Sequence, residues 1–172
     1  MAQAAQPHSM TGPVFGPVRK LITAWALMGG VLLLAVVVMN TLSVAGSVAI
    51  AKPFPGDFEM TEIGVCVAAF SFLPYCQMTR SDVSADIFTS RASDLWIGIF
   101  SLAASVVALG FGLLLMWRMY AGMLDQKTYN YTTAILQFPH WVAFVPILIS
   151  LALLALAAVM RIAECIQDIR KA

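Results

Sequence analysis

The chain has 172 residues, of which 60% are hydrophobic and only 11% are charged. Soluble domains carry about 25% charged residues, so this composition excludes a water-soluble globular fold and predicts a membrane protein. The net charge of +1 provides no field that would attract nucleic acid, and no nucleic-acid partner is expected.

Four runs without Asp, Glu, Lys or Arg divide the chain. About 20 apolar residues cross the hydrocarbon core of a bilayer, and backbone in lipid must satisfy its own hydrogen bonds, which favours helices. The sequence therefore predicts an all-α integral membrane protein with four transmembrane helices surrounded by membrane lipids. The expected spans are residues 21–48, 59–79, 94–117 and 141–161.

Before the first span, residues 1–18 contain three prolines and two glycines and no Asp, Glu, Lys or Arg. Such a terminus predicts a flexible cytoplasmic tail, and residues 19–172 are expected to form one transmembrane domain.

Two of the spans admit other interpretations. Ala49-Ile50-Ala51 imitates a signal-peptide cleavage site, although the preceding apolar run is about twice as long as a signal core. The second uncharged run, residues 63–79, covers only about 26 Å as a helix and contains Pro74. A re-entrant hairpin therefore competes with a full span at this position.

The distribution of basic residues predicts the orientation. With four spans, one face receives seven Lys or Arg and the other receives three, so the positive-inside rule places both termini in the cytoplasm. Trp25 and Trp96 then fall at inner helix ends, and Trp117 and Trp141 at outer ends. The inner set is Arg19, Lys20, Arg80, Arg91, Arg161, Arg170 and Lys171, and the outer set is Lys52, Arg118 and Lys127.

Residues that carry catalytic or redox chemistry are scarce. Three cysteines without a C-x-x-C pair predict no disulfide framework or zinc site, and the two histidines do not form an intramembrane pair that could hold haem. We therefore expect no cofactor, no metal and no enzymatic activity. No Asp, Glu, Lys, Arg or His occupies the middle of a predicted span, which disfavours an ion-coupled pump that acts alone.

Two stripes of small or polar residues are candidates for helix–helix contact. One consists of Asn40, Ser43 and Ser47, whose side chains can hydrogen-bond across a helix pair. The other has small-xxx-small spacing, which allows close backbone approach, and consists of Ala104, Ala108 and Gly112. Packing within this chain and contact with another subunit are both open for these stripes.

The outer ends of the helices carry the candidate docking residues. Glu59 and Glu62 open the second span, where a helix N-terminus favours negative charge, so they cap the helix or contact an outer partner. The segment 125–139 is long for a connection between adjacent helices and contains Tyr129 and Tyr131.

The order of these features resembles the small membrane subunit of tripartite ATP-independent periplasmic (TRAP) transporters. Residues 53–62, PFPGDFEMTE, are similar to that family's Pro-Gly entry into the second helix. Residues 80–86, RSDVSAD, are similar to its cytoplasmic segment, and residues 137–141, QFPHW, to the opening of its fourth helix. The chain departs from the family pattern at Ser47, Asp82 and Ala85.

The resemblance implies a non-catalytic scaffold in the bacterial inner membrane. Its partners would be the large TRAP membrane subunit, which moves the solute with sodium, and a periplasmic solute-binding protein that delivers an organic acid. The expected outer surface is Glu59, Glu62, Tyr129, Tyr131 and Trp141, and the expected cytoplasmic turn is held by Arg80, Asp86 and Arg91. The alternative function is a four-span structural or assembly anchor of another inner-membrane complex.

Overall fold

The computed structural model of the protein describes residues 15–50, 55–79 and 94–171. Within these ranges the chain is all-helical, and its extended structure is limited to an isolated antiparallel bridge between Thr132 and Pro139. The four helices are α1 (Phe15–Ile50), α2 (Asp57–Thr79), α3 (Asp94–Thr128) and α4 (Trp141–Lys171).

Three helices in the described ranges are long and apolar enough to cross a membrane. These stretches are Gly16–Ala49 in α1, Leu102–Thr128 in α3 and Trp141–Ala163 in α4. The chain is therefore a membrane protein. α2 does not reach the same apolar character, because polar and charged residues occupy its first two turns.

α1 and α2 form a close antiparallel hairpin. A Cβ atom built on Gly29 would lie 2.7 Å from the Cβ atom of Ser71, and one built on Gly64 would lie 2.5 Å from Cγ2 of Val36. Both distances are shorter than side-chain carbons tolerate, so glycine is required at each position for this approach. Small residues let helix backbones approach closely in lipid, where apolar burial drives little association.

α2 lies between α1 and α4 and packs against both. Its buried residues are Gly64, Ala68, Ser71 and Pro74. Pro74 is fully buried and the helix continues through it to Thr79, so the proline that raised the re-entrant alternative does not end the helix.

α3 packs against α4 in an antiparallel pair. Gly112 lies against the side chain of Leu154, and Gly122 against the ring of Phe144. These two contacts set Trp117 level with Ile149, so Trp117 and Trp141 lie about 12 Å apart along the axis of the helix pair.

The predicted spans all lie inside the observed helices. α3 continues past Trp117 to Thr128, and the connection to α4 is therefore residues 129–140 rather than 125–139. Trp25, expected at an inner membrane boundary, donates its indole N–H to Ser150 Oγ at 2.9 Å and joins α1 to α4. Residues 1–14 of the expected tail lie outside the described ranges.

Candidate functional site

A chain of polar contacts closes the α1–α2 hairpin near the C-terminus of α1. Asn40 Nδ2 donates to Thr61 Oγ1 at 2.8 Å and to the carbonyl of Val36 on its own helix. Ser43 Oγ donates to Asp57 Oδ2 at 2.5 Å, and the other carboxylate oxygen of Asp57 accepts the N–H of Phe58. Asp57 thus caps the N-terminus of α2, where the helix dipole favours negative charge, and ties it to α1.

The third residue of this stripe plays a different part. Ser47 Oγ donates to the carbonyl of Ser43 at 2.9 Å, so its hydrogen bond stays within α1. Asn40 and Ser43 therefore bond to α2 of the same chain, while Ser47 does not.

Glu59 fastens α2 to the α3–α4 loop, which we define as residues 129–140. Its two carboxylate oxygens accept the backbone N–H of Ile135 at 2.8 Å and of Leu136 at 3.1 Å. Hydrogen bonds to an ionised acceptor are roughly twice as strong as neutral ones. The carboxylate holds a loop that is distant in sequence, and that bond occupies it in the isolated chain.

The backbone beside Glu59 is shaped for the same contact. Gly56 has a φ of +82°, in the left-handed region that glycine adopts without a steric penalty. A Cβ atom at Gly56 would lie 2.6 Å from Cγ of Leu136. Glycine is thus needed here both for the turn that starts α2 and for the seat of Leu136.

The rest of the loop folds into a short hairpin. The N–H of Thr133 donates to the carbonyl of Phe138 at 3.0 Å, and the N–H of Phe138 returns to Thr133 Oγ1 at 3.0 Å. The N–H of His140 donates to the carbonyl of Tyr131. The loop is therefore an ordered platform rather than a loose connection.

The aromatic residues of the expected outer surface lie on this platform. Tyr129 and Tyr131 are 69% and 55% exposed, with ring centroids 5.9 Å apart. Trp141 is half-buried, and Lys127 Nζ lies 5.7 Å from its ring centroid, within the range of a cation–π contact. Glu62 is exposed one turn beyond Glu59. All five expected residues thus keep exposed surface, but the carboxylate of Glu59 is engaged by the loop.

An apolar groove of about 690 Å³ lies beneath the platform. Its walls are Leu32, Ala35, Val36 and Met39 of α1 and Met60, Ile63, Gly64 and Val67 of α2, and the loop closes one end with Thr133, Leu136 and Phe138. The lining presents almost no polar group, which suits an apolar occupant and not an ion or a carboxylate.

The small-xxx-small stripe of α3 divides between two environments. Gly112 is buried against Leu154 of α4, Ala108 is half-buried and Ala104 is exposed. The C-terminal end of the stripe therefore packs within this chain, while its N-terminal end remains exposed. Arg80, Asp86 and Arg91 of the expected cytoplasmic turn lie outside the described residues.

Several residues of this site escape sequence reasoning. Thr61 and Asp57 are recognisable as hydrogen-bonding and capping types, but nothing in the sequence pairs them with α1. Ser150 bonds to the carbonyl of Pro146 at 2.8 Å as well as to Trp25, and a proline four residues earlier is the one signal for it. In the described ranges, no three His, Cys, Asp or Glu side chains come together as metal ligands.

Comparison with known proteins identifies the family. Residues 36–168 match the model of the DctQ component of tripartite ATP-independent periplasmic transporters, which covers more than three quarters of the chain. Neither the curated proteins nor the solved structures yield a match. The resemblance drawn from the three short motifs is confirmed: the chain belongs to the DctQ family, the small membrane component of TRAP transporters.

Proposed function

We propose that this protein is the non-catalytic scaffold of a sodium-coupled importer of an organic acid in the bacterial inner membrane. The large membrane subunit moves the solute, a periplasmic binding protein delivers it, and the present chain holds the large subunit in place.

The observation that carries the proposal is the use of the polar side chains between the helices. Asn40, Ser43 and Trp25 each donate a hydrogen bond to a neighbouring helix of this chain. Side chains committed to helix–helix bonds do not line a path for an ion or a carboxylate. They support a rigid body whose role is contact, and the solute then passes through another subunit.

The proposed topology has four spans with both termini in the cytoplasm. α2 supports it because its 23 residues cover about 34 Å, enough for a hydrocarbon core of about 30 Å. It runs antiparallel to α1 from Asp57 beside Ser43 to Ser71 beside Gly29. Its modest apolar character is compatible with lipid because α1 and α4 cover it on two sides.

Reporter fusions test this topology. Fusions that are active only in the cytoplasm, placed after residue 172 and before residue 1, should both be active. A three-span chain, in which α2 stays on one side, would place the two reporters on opposite sides, and one of them would be silent.

The outer platform is proposed to help dock the binding protein. The two exposed tyrosines and Glu62 offer a mixture of aromatic surface and negative charge, and tyrosine is enriched at protein interfaces. Glu59 contributes by holding the loop and not by direct contact.

Copurification tests the scaffold role. The tagged chain, extracted from its native membrane in mild detergent, should retain a larger polytopic membrane protein that mass spectrometry identifies as the TRAP large subunit. Recovery of the chain alone, under conditions that preserve other complexes of the same membrane, would favour the structural-anchor alternative. In vesicles, the pure chain alone should show no sodium-driven uptake of small carboxylates.

A further inference from the structure

The uncharged runs of α3 and α4 do not lie side by side but are shifted along the helix pair. Gly112 faces Leu154 and Gly122 faces Phe144, so ten residues of α3 correspond to ten residues of α4 in the opposite direction. The uncharged run of α3, residues 95–117, therefore lies beside residues 149–171 of α4. The uncharged part of α4, residues 141–160, lies beside residues 106–125 of α3.

Both runs cannot define the same hydrocarbon layer. If the run of α3 did, the layer would enclose five charged residues of α4: Arg161, Glu164, Asp168, Arg170 and Lys171. If the run of α4 does, the layer encloses Arg118 and meets Asp125 at its edge. Each charge in the bilayer costs several kcal/mol, so the layer that follows α4 is favoured by a wide margin.

α2 gives an independent indication of the same layer. Glu59 bonds to Ile135 and Leu136, so the acidic first turn of α2 lies level with the loop that precedes Trp141. From Trp141 to Met160 the layer measures about 30 Å, which equals the thickness of a bilayer core.

Arg118 is thus inside the membrane. It lies opposite Leu148, about 10 Å along the helix from the level of Trp141. Its side chain is exposed, and so are Val107, Phe111 and Leu114 on the same side of α3. An arginine on a lipid-depth apolar stripe requires an anionic partner from outside this chain's helix pair.

The usual lean of side chains on a helix argues against a lipid phosphate as the partner of Arg118. Side chains on a helix lean toward its N-terminus, and for α3 that end points away from the level of Trp141. Reaching the nearest headgroups would require Arg118 to extend against this lean through the whole distance. A carboxylate on a neighbouring transmembrane helix at the same depth needs no such extension and receives the two parallel N–H groups of the guanidinium.

We infer that Arg118 pairs with a carboxylate in the outer half of a transmembrane helix of the large membrane subunit, and that the stripe of Val107, Phe111 and Leu114 packs beside that helix. This inference rests on the proposed function, because it names the contact through which the scaffold holds its partner.

Retention of the large subunit by the tagged chain in mild detergent tests the pairing. Arg118→Leu should reduce the retained large subunit about tenfold or more, because it leaves the partner's carboxylate unpaired in a low-dielectric layer. Arg118→Lys should lose less, since it keeps the charge but not the bidentate geometry. Arg19→Leu makes the same chemical change on α1, away from the α3 stripe, and should leave retention unchanged.

A second-site variant separates the possible partners. Each Asp or Glu in the outer half of the large subunit's transmembrane helices is changed to its amide in turn. Neutralising the one that faces Arg118 should restore retention of the large subunit by the Arg118→Leu chain. Equal retention of the large subunit by wild type and Arg118→Leu would overturn the inference. It would also be overturned if none of the amides restored retention, and that result would point to lipid phosphate as the partner. Elution of Arg118→Leu alone as a single species like wild type shows that the loss is not misfolding. A wild-type chain that retains no large subunit would instead refute the proposed function.

Discussion

The two helix hairpins of this protein are held together in different ways. α1 and α2 meet through glycines in backbone-close contact and through side-chain hydrogen bonds at one end. α3 and α4 leave more room, since a Cβ atom on Gly112 would lie 3.5 Å from Leu154 and one on Gly122 would lie 3.4 Å from Phe144, which are ordinary van der Waals distances. In lipid, where apolar burial drives little helix association, close packing and polar bonds fix a register. The first pair is thus built for rigidity, while α3 of the second pair keeps an exposed apolar face.

The largest expected effect tests the close approach directly. Gly29→Ala places a methyl group 2.7 Å from Ser71 Cβ and should lower the free energy of unfolding by about 2 kcal/mol, within the range for overpacking. Gly110→Ala is the matched control on α3, because its added methyl meets nothing within 4 Å. It should be neutral or gain up to about 1 kcal/mol from helix propensity. Unfolding in mixed micelles titrated with dodecyl sulfate measures both, and equal midpoints would contradict the distinction between the hairpins.

Glu59→Ala tests the bond that joins the first hairpin to the second. Glu59→Ala removes the ionised acceptor of two backbone N–H groups, which leaves those groups bonded only to solvent. The amides of Ile135 and Leu136 should then exchange with solvent several-fold faster, because the loop opens more often. Glu62→Ala, one turn away and exposed, should leave those rates unchanged. Unaltered exchange in Glu59→Ala would show that the loop is held by Leu136 packing instead.

The polar bond within the first hairpin should contribute less. A double-mutant cycle of Asn40→Ala and Thr61→Ala should give a coupling energy of about 0.6 kcal/mol and at most about 1.7, the range for hydrogen bonds between membrane helices. Thr41→Ala is the control, because Thr41 bonds to the carbonyl of Val37 on its own helix. If the coupling energy between Thr41 and Thr61 were as large as that between Asn40 and Thr61, the hydrogen bond between Asn40 and Thr61 would not explain the coupling.

The smallest effect concerns the hydrogen bond from Trp25 of α1 to Ser150 of α4. Trp25→Phe keeps an aromatic ring but removes the donor to Ser150, and should cost about 0.5 kcal/mol. In the Ser150→Ala background the hydrogen bond is already absent. Trp25→Phe should then lower the free energy of unfolding by about 0.5 kcal/mol less than in wild type. Trp117→Phe, at an exposed position, should be insensitive to residue 150. Full additivity of the Trp25 and Ser150 variants would show that the hydrogen bond does not stabilise the fold.

Charge-free runs predicted the four helices because lipid excludes ionised groups and leaves helical backbone as the way to satisfy the peptide groups. The ends of the helices were less predictable. α3 passes Trp117 and Arg118 without interruption, since a helix can carry charged residues where solvent or a partner receives them. Pro74 looked like a possible break, yet burial between α1 and α4 accommodates it within α2.

The candidate site divides in the same way. The tyrosines of the loop and Glu62 were predicted as surface residues, and the structure exposes them. Glu59 and Glu62 look equivalent in the sequence, because both are acidic residues near the start of α2. In the structure the carboxylate of Glu59 binds the loop, 76 residues away in the chain. A sequence carries the type of each hydrogen-bonding group, but a bond over such a separation depends on which helices become neighbours.

The sequence by itself determined that this is an all-helical membrane chain, and its motifs placed it in the DctQ family. Composition is sufficient to identify an all-helical membrane chain because each charged residue in lipid is unfavourable by itself, whatever its neighbours. The tertiary structure alone decided that Gly29 and Gly64 permit the approach of α1 and α2, that Glu59 holds the loop, and that α3 is shifted against α4 so that Arg118 lies beside the uncharged part of α4. These depend on the register between helices, which is set by the shapes of two surfaces in contact and is not encoded in the polarity of either one.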